Sequence, residues 1–253
     1  MDGILNSPIL VFLLSFVAMS MATRFGDFLR RKIRPMKDED REDYSLTTAS
    51  TLTLLGLILG FSFSMAISRY DQRKNYEEAE ANAIGTEYVR ADLLPASDAA
   101  TVRDLLKRYV EQRVLFYTTR FGEELNKIDR DTAHLQNELW NAVKVPTTAS
   151  PTPVAALVTS GMNDVLNSQG YTQAAWSNRI PVAAWGLMVA IALFCNVLIG
   201  YGAHRTAQFL FEIMPLAVAI SFFMIADIDS PRGGIIRVAP QNLLSLSHSL
   251  KAQ

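Results

Sequence analysis

The polar residues best placed to do chemistry lie close together near the end of the chain: Asp227, Asp229, Ser230, Pro231, Arg232, Gly233, Gly234 and Arg237. Two carboxylates at i and i+2 followed by Pro-Arg-Gly-Gly can form a hard-cation site, or a selectivity ring if several chains meet there. The same residues also make a helix stop whose Asp and Arg side chains brace a turn, because Pro and Gly are turn residues first. Glu212 is the single charge in a long apolar run. It reads either as an interfacial carboxylate paired with Arg205 or His204, or as part of an ion or proton path. His134, His204 and His248 are too dispersed for a metal site, and the one cysteine, Cys195, allows neither an intrachain disulfide nor a thiolate cluster. No HExxH, phosphate loop, Rossmann glycine pattern or nucleophile elbow occurs. The expectation is no enzyme, no metal and no cofactor.

The elements carrying these residues are set by where charge is missing. Charged residues make up 19% of the 253 positions, below the roughly 25% of average soluble proteins. A hydrocarbon core of about 30 Å needs about 20 apolar helical residues to cross it. Four runs of that kind stand out: Gly3 to Thr23, Tyr44 to Ser68, Ile180 to Ala203, and Thr206 to Ala226 with Glu212 inside it. Asp2 is the only charged side chain ahead of the first run, and the basic residues Arg24, Arg30, Arg31, Lys32, Arg34 and Lys37 follow it. That order fits a retained anchor rather than a cleaved signal peptide. In the fourth run Pro215 should kink the helix, and Asn196 of the third run reads either as a partner for the freed carbonyl or as a plain interhelical hydrogen-bonding residue.

The pattern predicts an all-α integral membrane protein with four transmembrane helices and a helical extramembrane domain inserted between helices 2 and 3. Residues 1–68 hold the first two transmembrane helices and a short basic loop, 69–179 the inserted domain, 180–228 helices 3 and 4, and 229–253 a C-terminal tail. Basic residues in short loops face the cytoplasm, so the first loop predicts an outward-facing insert. Arg69, Arg73 and Lys74, just past the second run, favour the opposite orientation. A formal net charge of -1 gives no reason to expect a nucleic-acid partner.

Within the insert the second helix continues without Pro to Leu94 and stops at Pro95. Ser97 is a candidate N-cap for the next helix, with Val102, Leu105, Leu106, Tyr109 and Val110 on one face. A further helix spans about Lys127 to Lys144, with Ile128, Leu135, Leu139 and Val143 repeating. The stretch Val145 to Pro153, with three prolines, reads as a loop, and a short helix covers Val154 to Leu166.

The second run has its own signature. Gly56, Gly60, Ser64 and Ser68 recur every four residues. Small residues at this spacing let helix backbones approach closely, which is how helices associate where lipid gives no hydrophobic drive. The same helix can line a path in an oligomer, with Ser62, Ser64 and Ser68 offering hydroxyls, Arg69 at the mouth, and Ile58, Phe61 and Met65 forming a narrow apolar ring that gates by dewetting. Two functions fit: an oligomeric ion channel, or a membrane-anchored interaction or envelope-sensing protein whose helical domain binds a partner.

The run LGLILGFSFSMAISRYDQRKNYEEAEANAIGTEYVRADLLP, Leu55 to Pro95, together with IADIDSPRGGIIRV, Ile225 to Val238, resembles a group of bacterial membrane proteins labelled bestrophin-like. Bestrophins are pentameric anion channels whose second helix lines a hydrophobic neck and whose insert builds a cytosolic vestibule. The resemblance implies a homo-oligomer, a pentamer by analogy, in a bacterial inner membrane, crossing the bilayer several times and conducting small anions. It makes Phe61 and Met65 neck candidates and Arg69 a charge at the pore mouth. The acidic calcium clasp of animal bestrophins has no clear counterpart, and the cytosolic insert it implies runs against the charge of the first loop.

Overall fold

The structure, a computed structural model, describes residues 5–32, 40–203 and 208–252. It is helical throughout, with no strand among the described residues. The helices are α1 (Pro8–Lys32), α2 (Arg41–Arg90), α3 (Ala96–Thr118), α4 (Glu123–Ala149), α5 (Pro153–Ser177), α6 (Val182–Gly202), α7 (Ile213–Asp229) and α8 (Gln241–Lys251). Short 3-10 turns cover Ala91–Leu93 and Gln208–Glu212. Three stretches are long and apolar enough to cross a bilayer: Pro8–Lys32, Arg41–Leu93 and Pro153–Gly202, the last made of α5 and α6. The chain divides into two compact units, one of residues 1–69 and 179–236, the other of 70–178 and 237–253.

In the first unit α1 packs on α6 and α7, and the crossing of α1 with α6 is glycine-determined. A Cβ at Gly26 would stand 2.1 Å from the Val197 carbonyl oxygen, and one at Gly200 would stand 1.8 Å from the Thr23 carbonyl oxygen. Only residues without side chains let the two backbones come this close. Polar groups lock the same crossing, the Thr23 hydroxyl lying 3.2 Å from Asn196 Oδ1 while Asn196 Nδ2 donates to the Ala192 carbonyl at 2.8 Å. Asn196 thus joins helices and does not serve a carbonyl freed by Pro215. Pro215 makes no mid-helix kink because α7 begins at Ile213, which puts the proline in the first turn, where its missing N–H costs nothing.

The second unit is a helical bundle around a single apolar core. Ile84 from α2, Val102, Leu106, Tyr109 and Val110 from α3, Leu139 and Val143 from α4, Val158, Met162 and Val165 from α5, and Leu243 from α8 are fully enclosed in it. Burying each such aliphatic side chain is worth about 1.5–3 kcal/mol, which is what orders this bundle. The face expected on α3 is the buried one. The C-terminal stretch left as a tail by its sequence contains α8, an amphipathic helix that supplies Leu243 and Leu250 to the core.

Three local expectations change. The loop expected over 145–153 shrinks to Ser150–Thr152, because α4 runs through Pro146 to Ala149. The ring of Pro146 is buried, and the Thr147 and Thr148 hydroxyls donate back to the carbonyls of Val143 and Lys144 along the last turns. The short helix expected to end at Leu166 runs to Ser177, capped by Thr152, whose hydroxyl accepts from the Ala155 N–H at 3.0 Å. Gly170 inside it costs about 1 kcal/mol of propensity, too little to end a helix whose face is buried. Ser97 is not the cap of α3; Pro95 is, its carbonyl accepting from the N–H groups of Asp98 and Ala99.

Candidate functional site

The first part of α2, up to Arg69, carries most of the sequence-selected residues, and its two sides differ. Leu55, Ser62 and Ala66 form a buried stripe at helical spacing. On the opposite side Leu54, Leu57, Phe61 and Met65 are exposed, Phe61 at 66% and Met65 at 39%. Ser64 and Ser68 are exposed beside them, and Ile58 and Arg69 are half-buried on the flank. Arg69 donates from Nη2 toward the Met65 sulfur at 3.6 Å. Ser62 is set apart from the other candidates: at 6% exposure it faces the interior of its own chain. It sits one residue from Phe61, and 100° per residue turns it away from the exposed stripe.

Gly56 and Gly60 are exposed as well, and a Cβ at either position would meet nothing within 4 Å among the described residues. The tight glycine contact inside the chain is at Gly26 and Gly200 instead. The start of α2 is anchored by other means: Tyr44 donates its hydroxyl to the Leu198 carbonyl, and the Cys195 thiol points at the Thr51 carbonyl at 3.4 Å. Cys195 is therefore a small buried packing residue with a weak donor.

The C-terminal polar block is a brace. Asp227 accepts from the N–H of Ile235 at 2.6 Å with one oxygen and from that of Ile236 at 2.9 Å with the other. Asp229 accepts from the Ile180 N–H through both oxygens at 3.2 Å, and so ties the end of α7 to the start of α6. Ser230 accepts from the Gly233 N–H at 3.2 Å, while Arg179 reaches Asn6 and Ser230. Glycine is required at 233 and 234, since a Cβ would stand 1.9 Å from the Asn6 carbonyl oxygen at the first and 2.2 Å from that of Asp227 at the second. Arg232 is buried in this turn. Both carboxylates are occupied by backbone donors, and among the described residues no group of three or more His, Cys, Asp or Glu side chains could hold a metal.

Glu212 lies at the other end of α7, about 25 Å from this brace by the helix's rise. It is the residue before the first helical position, and its carboxylate accepts from Ser20 Oγ at 2.5 Å and Arg24 Nη2 at 2.9 Å. Its partners come from α1, whereas the expected ones, His204 and Arg205, lie outside the described residues. A carboxylate at a helix N-terminus also meets the positive end of the helix dipole.

In the second unit, sequence reasoning missed a buried polar system. Arg113 and Glu80 pair with both side chains fully enclosed, and Glu80 Oε2 also accepts from Thr172 at 3.1 Å and Tyr117 at 3.3 Å. Burial, with the Glu80 charge beside it, pushes the Tyr117 hydroxyl pKa up. Glu77 caps α8 from outside, accepting from the Leu243 N–H at 2.9 Å and from Asn242 Nδ2 at 2.6 Å. The signal available in sequence was glutamate at 77, 80 and 87, on the stripe of α2 that also carries Ile84 and Tyr88.

Long apolar helices, one of them two-sided, together with a helical bundle define a class of helical membrane protein. The comparisons with known proteins agree. The bestrophin-like domain model matches residues 17–243, and the chain belongs to that family. Its fold is similar to crystal structures of a bacterial bestrophin homologue from Klebsiella pneumoniae. One mutant form has a TM-score of 0.68 at 14% identity, covering 97% of this chain and 98% of that one. The same homologue solved with zinc phasing has a TM-score of 0.64 at 14% identity, with 96% and 95% covered. At this identity the likeness is one of fold. Curated protein sequences give no match.

Proposed function

We propose that the protein is an oligomeric membrane ion channel passing small anions, with the exposed face of α2 lining its pore. The observation that carries the reading is the row Leu54, Leu57, Phe61 and Met65, open on one side of a helix whose other side is buried. Copies arranged around an axis bring Phe61 and Met65 into an apolar ring that water leaves readily, with Ile58 at its edge, Ser64 and Ser68 offering hydroxyls and Arg69 at one end. Gly56 and Gly60 then give a neighbouring copy room to approach. The choice of anions, and of five copies, rests on the family.

Four spans in a bacterial inner membrane complete the reading. α7 alone is about 25 Å long, short of the roughly 30 Å core, and the preceding 3-10 turn adds about 10 Å. Together they reach across.

The test is chloride efflux from liposomes holding purified protein, beside its mass in detergent. Flux that rises on Phe61→Ala or Met65→Ala, from a protein of several copies, is expected. A monomeric mass without flux would overturn the channel and leave the spans as an anchor for the helical unit.

A further inference from the structure

Glu87, near the end of α2, is fully buried, and neither of its carboxyl oxygens has a hydrogen-bond partner among the described residues. Its place is made by a missing side chain on α5. A Cβ at Gly161 would stand 2.0 Å from Glu87 Oε2 and 2.4 Å from Arg90 Nη1. The carboxyl therefore fills a notch at Gly161, in the contact of α2 with α5. The charges acting on it are Arg90 on its own helix and Asp164 on α5. Burial dominates, Arg90 partly offsets it and Asp164 adds to it, so that the Glu87 pKa is pushed up to about 8. At neutral pH the side chain holds its proton.

We propose that Glu87 is a proton-operated latch between α2 and α5. Neutral, it rests in the Gly161 notch; when its O–H bond breaks and the proton passes to water, the carboxylate needs solvation that the notch withholds, and α5 loosens from α2. The device does not depend on conduction. It makes the second unit responsive to pH in a range that surface carboxylates do not report.

Linkage fixes the sign. Opened to water, the carboxyl ionises in the ordinary range; closed, it ionises only near 8. Opening therefore becomes about tenfold easier per pH unit between those two values, and levels off above the second.

Hydrogen–deuterium exchange on the full-length protein in detergent, corrected for base catalysis of exchange, reads this directly. Between pH 6 and 9 the segment of α5 around Gly161 is expected to open about tenfold more per pH unit, with a plateau above about 8. Glu87→Gln and Glu87→Met are expected to remove that dependence. A flat wild-type profile, or one that survives in a neutral variant, overturns the proposal. So does failure of both neutral variants to fold, since the native side chain is itself uncharged in the notch.

Discussion

Arg113 and Glu80 are both sealed inside the helical unit, and the guanidinium of one meets the carboxylate of the other at two points, through Nε and Nη2. The Phe116 ring lies 4.4 Å from the guanidinium. Burial works against the Arg113 charge, but Glu80 beside it outweighs that and holds the pKa above its ordinary value. A buried pair of this kind is costly to break from one side, because the remaining charge is then enclosed alone.

Removing either partner singly, as Glu80→Gln or Arg113→Met, is expected to cost about 3–5 kcal/mol. Replacing both with apolar residues should recover most of that loss. Denaturant unfolding of the full chain in detergent, single variants against the double, checks the non-additivity.

The α1–α6 crossing predicts a sharp contrast among glycines. Gly200→Val would push a side chain into the Thr23 carbonyl and is expected to lose at least about 1–3 kcal/mol, with a lowered melting temperature. Gly60→Ala meets nothing within 4 Å among the described residues of its own chain and should leave the melting temperature of the dissociated chain unchanged. Equal effects would contradict the assigned crossing.

Asp227 should behave as a structural acceptor and not as a cation ligand. Asp227→Ala leaves the N–H groups of Ile235 and Ile236 without their acceptor and is expected to cost about 1–3 kcal/mol for each group left buried. Calcium or magnesium titrated into the wild type should not move its melting temperature. A cation-dependent rise that vanishes in Asp227→Ala would show the block to be an ion site after all.

The pH dependence of the helical unit should answer to Asp164. Because the Glu87 pKa is raised on folding, its contribution to stability is complete at acid pH, falls as pH rises, and stops changing above about 8. Asp164→Asn removes a charge that raises this pKa, so the fall should end at a lower pH and be smaller overall. Melting temperatures of the variant and the wild type across pH 5 to 9 would diverge most at the alkaline end.

Much of this was legible along the chain. The apolar runs set the helices, the period of Val102, Leu106, Tyr109 and Val110 marked the core face of α3, and Asp227 with Pro231, Gly233 and Gly234 marked a turn. Local signals misled where tertiary burial outweighed them: Pro146 read as part of a loop yet lies inside a helix, and the helix expected to end at Leu166 runs on through Gly170. The pairs Arg113 with Glu80, Thr23 with Asn196 and Glu212 with Arg24 join residues far apart in sequence, and no periodicity on one helix identifies its partner on another.

The sequence by itself determined that this is an all-helical membrane protein, because charge-free runs and helical periods are written in the order of the residues, while the bestrophin-like kinship came from the resemblance of Leu55 to Pro95 and Ile225 to Val238. Only the tertiary structure decided which side of α2 is covered. It turned Ser62 inward while leaving Phe61 and Met65 open, set a tight glycine contact at Gly26 and Gly200, and enclosed Glu87 against Gly161. Burial is a property of what packs around a residue, and a single strand of sequence states only what is available to be buried.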